Sequence, residues 1–128
     1  MSLSSFAIDT NAAVALMASD AAIQSRLGIG ARLFMPLTVL GELYFGAEGS
    51  ARANENALRV DAFCRRLNLL PIDIETARLY GKINQSLRVK GRPINDMWIA
   101  ATSLRNGLVL VTRDKHFHNI SELSTIDW

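Results

Sequence analysis

The chain of 128 residues is 49% hydrophobic and 20% charged, which predicts one globular domain over residues 1–128 and excludes a disordered chain. Its formal net charge of +2 is by itself only weak evidence for a nucleic-acid partner. The single cysteine excludes an internal disulfide framework, and neither a signal peptide nor an apolar run of roughly 18 residues is present, so we expect a cytoplasmic protein without membrane association.

The apolar pattern along the chain predicts short strands that alternate with helices. The predicted strands are residues 4–9, 31–36, 69–72, 108–112 and 124–128. Helices are predicted near residues 11–18, 20–28, 38–48, 54–68 and 73–91, and a last helix begins near Asn95 and stops at Gly107. Strands separated by helices imply a parallel sheet covered on both faces. We therefore expect an α/β protein, a three-layer α/β/α sandwich around a central, mainly parallel sheet.

Polar residues at the helix starts predict where each helix is capped, because a short polar side chain can accept a hydrogen bond from the free amides of the first turn. The predicted caps are Thr10 or Asn11, Ser19 or Asp20, Thr38, Asp73, and Asn95.

Four acidic residues fall where a parallel sheet would bring their side chains together. Asp9 ends the first predicted strand, and Asp114 follows the fourth. Asp96 lies in the first turn of the helix before that fourth strand, and Glu42 lies about one turn into the helix after the second strand. Because the carboxyl ends of parallel strands share one edge with the helix N-termini that follow them, these four side chains can converge.

Each acid also has a purely structural interpretation. Asp9 is a credible helix cap, and Asp96 would complement the dipole of its helix. Asp114 suits a turn, and Glu42 needs no explanation on a solvated helix face. Sequence position alone leaves both interpretations open.

A cluster of four carboxylates would need a cation, because like charges in one cleft repel one another. Mg²⁺ and Mn²⁺ prefer oxygen ligands, and such an ion lowers the pKa of a bound water and offsets charge on a phosphate. The pattern therefore suits metal-assisted hydrolysis of a phosphodiester. Basic residues near the acids could hold the polyanion, with a solvated helix face as the alternative: Arg113, Lys115, Lys82, Arg88 and Arg92.

Four segments, in order and across nearly the whole chain, resemble one known family. They are IDTNAAVAL at 8–16, TVLGELYFG at 38–46, INDMWIAATSL at 94–104 and LVLVTRDKHF at 108–117. Together they resemble the PIN-domain ribonucleases, most closely the VapC-type toxins of bacterial toxin–antitoxin pairs.

The resemblance implies a PIN-like fold and an endoribonuclease that depends on Mg²⁺ or Mn²⁺ and cleaves RNA with metal-activated water. It also implies a homodimer that is held inactive by a small cognate antitoxin, whose C-terminal segment reaches into or near the acidic site. Residue by residue, it assigns the metal-binding and catalytic acids to Asp9, Glu42, Asp96 and Asp114. It further places an orienting hydroxyl at Thr112 and a supporting polar side chain behind the metal ligands at Asn11.

One position departs from the family pattern. Some relatives carry a further acid two positions after the last one, where this chain has His116. We therefore expect one firmly bound ion rather than two. His116 and His118 do not indicate a zinc site, because no third and fourth ligand stands at the usual spacing.

Two other classes of protein compete with the nuclease. The first is a non-catalytic PIN-like module that binds RNA or a protein, but such a module has little reason to keep four mutually repelling acids. The second is a phosphatase or receiver-like domain with Asp9 as phosphoryl acceptor. Those sites usually have a second acid near the first, where this chain offers Asn11.

Overall fold

The computed structural model describes residues 4–87 and 94–128 and centres on one sheet of five parallel strands. The strand order is β3-β2-β1-β4-β5, and all four neighbouring pairs are parallel. The strands are β1 Ser5–Ile8, β2 Arg32–Pro36, β3 Asn68–Leu70, β4 Val109–Val111 and β5 Thr125–Ile126. The sheet confirms the predicted fold class, and every predicted strand is present within a few residues of its expected bounds.

Helices flank this sheet in the order that the apolar pattern predicts. They are α1 Thr10–Met17, α2 Ala21–Leu27, α3 Leu37–Glu48, α4 Ala53–Cys64, α5 Ile74–Leu87 and α6 Ile94–Arg105, with a short 3₁₀ helix at Lys115–Asn119. The predicted end of α5 near residue 91 lies outside the described residues. Within the described part of the chain, no helix is long and apolar enough to cross a membrane.

The core lies around the two central strands. Ala7 pairs with Leu110 and Ile8 with Val111, and all four side chains are fully buried. Phe117 is also buried, so its ring holds the 3₁₀ helix against the sheet. Burial of side chains this large contributes about 1.5–3 kcal/mol each. The core thus fixes the carboxyl ends of β1 and β4, where two of the predicted acids follow.

Three predicted helix caps are wrong. The cap of α1 is not Thr10 or Asn11 but Asp9, which confirms the structural interpretation of that acid, because its carboxylate accepts from the Ala12 amide at 2.8 Å. β2 runs directly into α3 at Leu37, so Thr38 already lies inside the first turn. Asn95 also lies inside its helix, which begins at Ile94.

Two predicted caps are confirmed. The Asp20 carboxylate accepts from the amides of Ala22 and Ile23 at the start of α2. The Asp73 carboxylate accepts from the Thr76 amide at 2.9 Å at the start of α5.

Candidate active site

Asp9 occupies the centre of the site, because it directly follows the central strand β1 and starts α1. Its Oδ1 accepts from the Ala12 amide at 2.8 Å, and its Oδ2 accepts from the Thr112 hydroxyl at 2.5 Å. The residue is only 4% exposed. Burial raises the pKa of Asp9, the Thr112 and Ala12 hydrogen bonds lower it, and the charges of Asp114 and Glu42 raise it again.

Thr112 connects the ends of the two central strands. It is fully buried, donates to Asp9, and accepts from the Asp114 amide at 3.0 Å. One hydroxyl therefore fixes the position of one carboxylate and the backbone of another.

Glu42 reaches the same edge of the sheet from the second turn of α3. Its Oε1 accepts from the Thr10 hydroxyl at 2.8 Å, which ties α3 to the start of α1. The sequence indicated Thr10 only as a possible cap and missed this contact. A hydroxyl directly after the first acid was the available signal.

Asp96 completes the group of four carboxylates from the first turn of α6. Its pKa is raised to about 6, first by burial and then by the charges of Asp114 and Glu42, with a hydrogen bond to Asp114 and the charge of Asp9 adding to the effect. Side chains that affect each other in this way form one electrostatic cluster. The structure therefore brings together the four acids that the sequence predicts.

A set of three potential cation ligands lies within this cluster. Asp96, Asp114 and His116 each offer one ligand atom, and these atoms lie within 4.8 Å of one another. Carboxylate oxygens suit Mg²⁺ and Mn²⁺. Burial and then neighbouring negative charge raise the pKa of Asp96, and a bound cation would offset that charge. The donor set thus fits the divalent ion that the resemblance implies. Asp9 and Glu42 add negative charge beside it.

Asn11 and the predicted RNA-binding residues differ in where the structure places them. Asn11 is exposed, and its supporting role stays a prediction, since the hydroxyls that contact Asp9 and Glu42 belong to other residues. The Arg113 guanidinium lies 4.4 Å from the Trp128 ring centre and donates to the Trp128 main-chain oxygen. Lys115 and Lys82 are exposed. Arg88 and Arg92 lie outside the described residues.

Two cavities meet at Glu42, one on each side of α3. A groove of about 520 Å³ lies between α1, α3 and α4, and its lining is mostly apolar, with Val14, Met17, Leu43 and Val60. A cavity of about 500 Å³ on the other side is lined by Thr38, Gly41, Glu42, Phe45 and Asn95.

The all-parallel α/β domain and the carboxylates clustered at the carboxyl edge of its sheet are the fold and the site that the resemblance to PIN domains implies. Residues 6–123 match the PIN domain, and the chain belongs to the PIN-domain family.

The chain is similar over nearly its whole length to proteins named as ribonucleases. It is 33% identical to Ribonuclease VapC1 of Haemophilus influenzae (strain R2866), with 96% of this chain and 97% of the relative covered. It is 29% identical to the tRNA(fMet)-specific endonuclease VapC of Shigella flexneri over the same shares. The crystal structure of DNA-bound VapBC from Salmonella typhimurium matches with a TM-score of 0.85 and 30% identity, with 99% of each chain covered.

Proposed function

We propose that this protein is an endoribonuclease toxin of the VapC type, that it requires Mg²⁺ or Mn²⁺, and that a cognate antitoxin neutralises it. The observation that carries the proposal is the convergence of Asp9, Glu42, Asp96 and Asp114 from four separate helix and strand ends. Ribonuclease names among its relatives support the activity.

In this proposal, different residues of the site bind the metal ion, orient the acids and attract the RNA. Asp96, Asp114, Asp9 and Glu42 would hold the cation, which when bound lowers the pKa of water and offsets charge on the phosphate. Thr112 orients Asp9, and its hydrogen bond favours the ionised carboxylate against the effect of burial. The Thr10 hydroxyl donates to Glu42 and holds that side chain in position. The exposed Lys115 is placed to attract the RNA backbone beside Asp114.

RNA cleavage by the purified protein tests this proposal. Total cellular RNA would be incubated with the folded, partner-free protein in Mg²⁺, in Mn²⁺ and in EDTA, beside Asp96→Asn and the control Glu122→Gln, which changes an exposed acid outside the site. We expect discrete fragments with either ion, for wild type and control alone. Folded protein that binds RNA but never cleaves it would instead identify a non-catalytic PIN-like binding module.

We propose that the antitoxin binds in the apolar groove between α1, α3 and α4. Val14 is 53% exposed at its wall, and the groove leads to Glu42 at the acid cluster. A segment with apolar side chains would fill the groove, and a basic side chain at its end would offset the clustered charge. Val14→Asp should therefore retain RNA cleavage and lose inhibition by the antitoxin. Unchanged inhibition would place the antitoxin elsewhere.

We also propose that the protein forms a homodimer through the outer face of α3. Leu37 and Phe45 are 46% and 84% exposed, and they stand with Gly41 at four-residue spacing on one stripe of the helix. Ile94, which is 66% exposed at the start of α6, adds to the apolar surface. Sedimentation should show a dimer for wild type and a monomer for Phe45→Asp. A wild-type monomer at micromolar concentration would contradict the proposal.

A further inference from the structure

The side chain of His116 lies in the acid cluster because of how the 3₁₀ helix begins. Asp114 caps this helix, and its Oδ1 accepts from the His116 amide at 2.9 Å. The same oxygen lies 3.0 Å from His116 Nδ1. The turn thus places the imidazole beside a proposed metal-binding acid, while the side chain stays 64% exposed toward the cleft opening.

Asp96 adds a second carboxylate to this arrangement, which then offers three potential ligands. Ligand atoms of His116, Asp114 and Asp96 lie within 4.8 Å of one another, although they come from two separate elements of the fold. Three atoms that bind one ion at about 2.1 Å each are roughly 3–3.6 Å from one another. A shift of about 1–2 Å at most would bring the three groups onto one ion, and rotation of the exposed His116 side chain allows such a movement.

We propose that the His116 imidazole is a ligand of the divalent ion, together with the carboxylates of Asp96 and Asp114. The inference rests on the proposed metal-dependent function. It concerns position 116, where some relatives carry an acid and this chain carries histidine. Its consequence is a changed metal preference. Imidazole nitrogen binds transition-metal ions, Mn²⁺ among them, in preference to Mg²⁺, which is bound best by an all-oxygen set. The site of this chain is therefore shifted toward Mn²⁺.

Pulsed electron paramagnetic resonance of bound Mn²⁺ tests the inference without any activity measurement. A coordinated imidazole gives a nitrogen modulation of the Mn²⁺ echo. We expect this modulation in wild type and its loss in His116→Ala. His118→Ala is the matched control, because it removes an exposed imidazole from the same 3₁₀ helix and should keep the signal.

The possible outcomes separate this inference from the proposed function. Bound Mn²⁺ without nitrogen modulation, or with modulation that persists in His116→Ala, would overturn the inference and leave the metal site standing. Folded wild-type protein that binds no Mn²⁺ at all would overturn both.

Calorimetric titration with each ion alone provides a second measurement. His116→Ala should weaken Mn²⁺ binding by roughly tenfold or more, in line with the loss of a group that supports a metal site. His116→Asp replaces nitrogen by oxygen and should raise the affinity for Mg²⁺ relative to Mn²⁺. An unchanged ratio of the two affinities in His116→Asp would contradict the proposed coordination.

Discussion

Replacement of Asp96 by asparagine should stabilise the metal-free protein while it removes a ligand of the proposed metal site. The pKa of Asp96 is raised from its usual 3.8 to about 6, first by burial and then by the charges of Asp114 and Glu42. One pKa unit corresponds to about 1.4 kcal/mol, so the ionised carboxyl lowers the free energy of unfolding by at most about 3 kcal/mol. Because the side chain is only half buried, water screens this effect, and we expect about 1–2 kcal/mol.

The sign of the effect follows from the order in which the folded and unfolded states lose their proton. Below pH 3.8 Asp96 is protonated in both states and costs nothing. As the pH rises from 3.8 to about 6, the unfolded chain ionises first, so wild type loses stability. The advantage of Asp96→Asn should therefore be small at acid pH and complete above pH 6.

Urea unfolding in EDTA between pH 4 and 8 measures this advantage, with Glu122→Gln as the control for a lost acid. Addition of Mn²⁺ should then stabilise wild type more than Asp96→Asn, because the ion binds only the folded site. If Asp96→Asn were less stable than wild type in EDTA at pH 7.5, or if its advantage did not change with pH, the reasoning would be refuted.

Three further changes probe the frame of the site. Thr112→Val leaves a buried oxygen of Asp9 without its donor, so it should lower the free energy of unfolding by about 1–3 kcal/mol and remove most of the RNA cleavage. Thr112→Ser keeps the hydroxyl and should retain both the stability and the cleavage. Equal losses in the two variants would contradict this role of Thr112. Asp73→Asn should lower the melting temperature at pH 7, because hydrogen bonds from Thr76 lower the pKa of Asp73. The difference from wild type should be complete above pH 3.8 and should shrink as the pH falls below 3.8 toward the lowered pKa. Phe117→Ala should cost about 3–5 kcal/mol in urea unfolding, and a loss below 1 kcal/mol would show that the ring is not part of the core.

The fold was predictable because its signals are local. Short apolar runs separated by helical patterns require a parallel sheet, and the four acids follow from the edge that such a sheet presents. Their meeting at one edge of the sheet was predictable without the strand order, since Asp9 and Asp114 follow strands, Asp96 lies in the first turn of α6 and Glu42 lies in the second turn of α3.

The details that depend on distant neighbours were not predictable. Thr10 and Asn11 are both polar and adjacent, and only the packing of α1 against α3 decides that Thr10 reaches Glu42. For Asp9 the sequence offered a helix cap and a site acid as alternatives, and the structure shows that the residue serves both, with one oxygen for each partner. The place of His116 beside Asp96 depends on contact between residues that are far apart in sequence.

The contact between Thr112 and Asp9 also determines when the acid cluster can form during synthesis of the chain. Their hydrogen bond joins residues 103 positions apart, and β1 can pair fully with β4 only after residues up to Val111 have been translated. A nascent chain that ends before Thr112 therefore lacks one acid and the hydroxyl that orients another. The acid cluster is therefore complete only once the chain has been synthesised as far as Asp114, which lies more than 100 residues after Asp9.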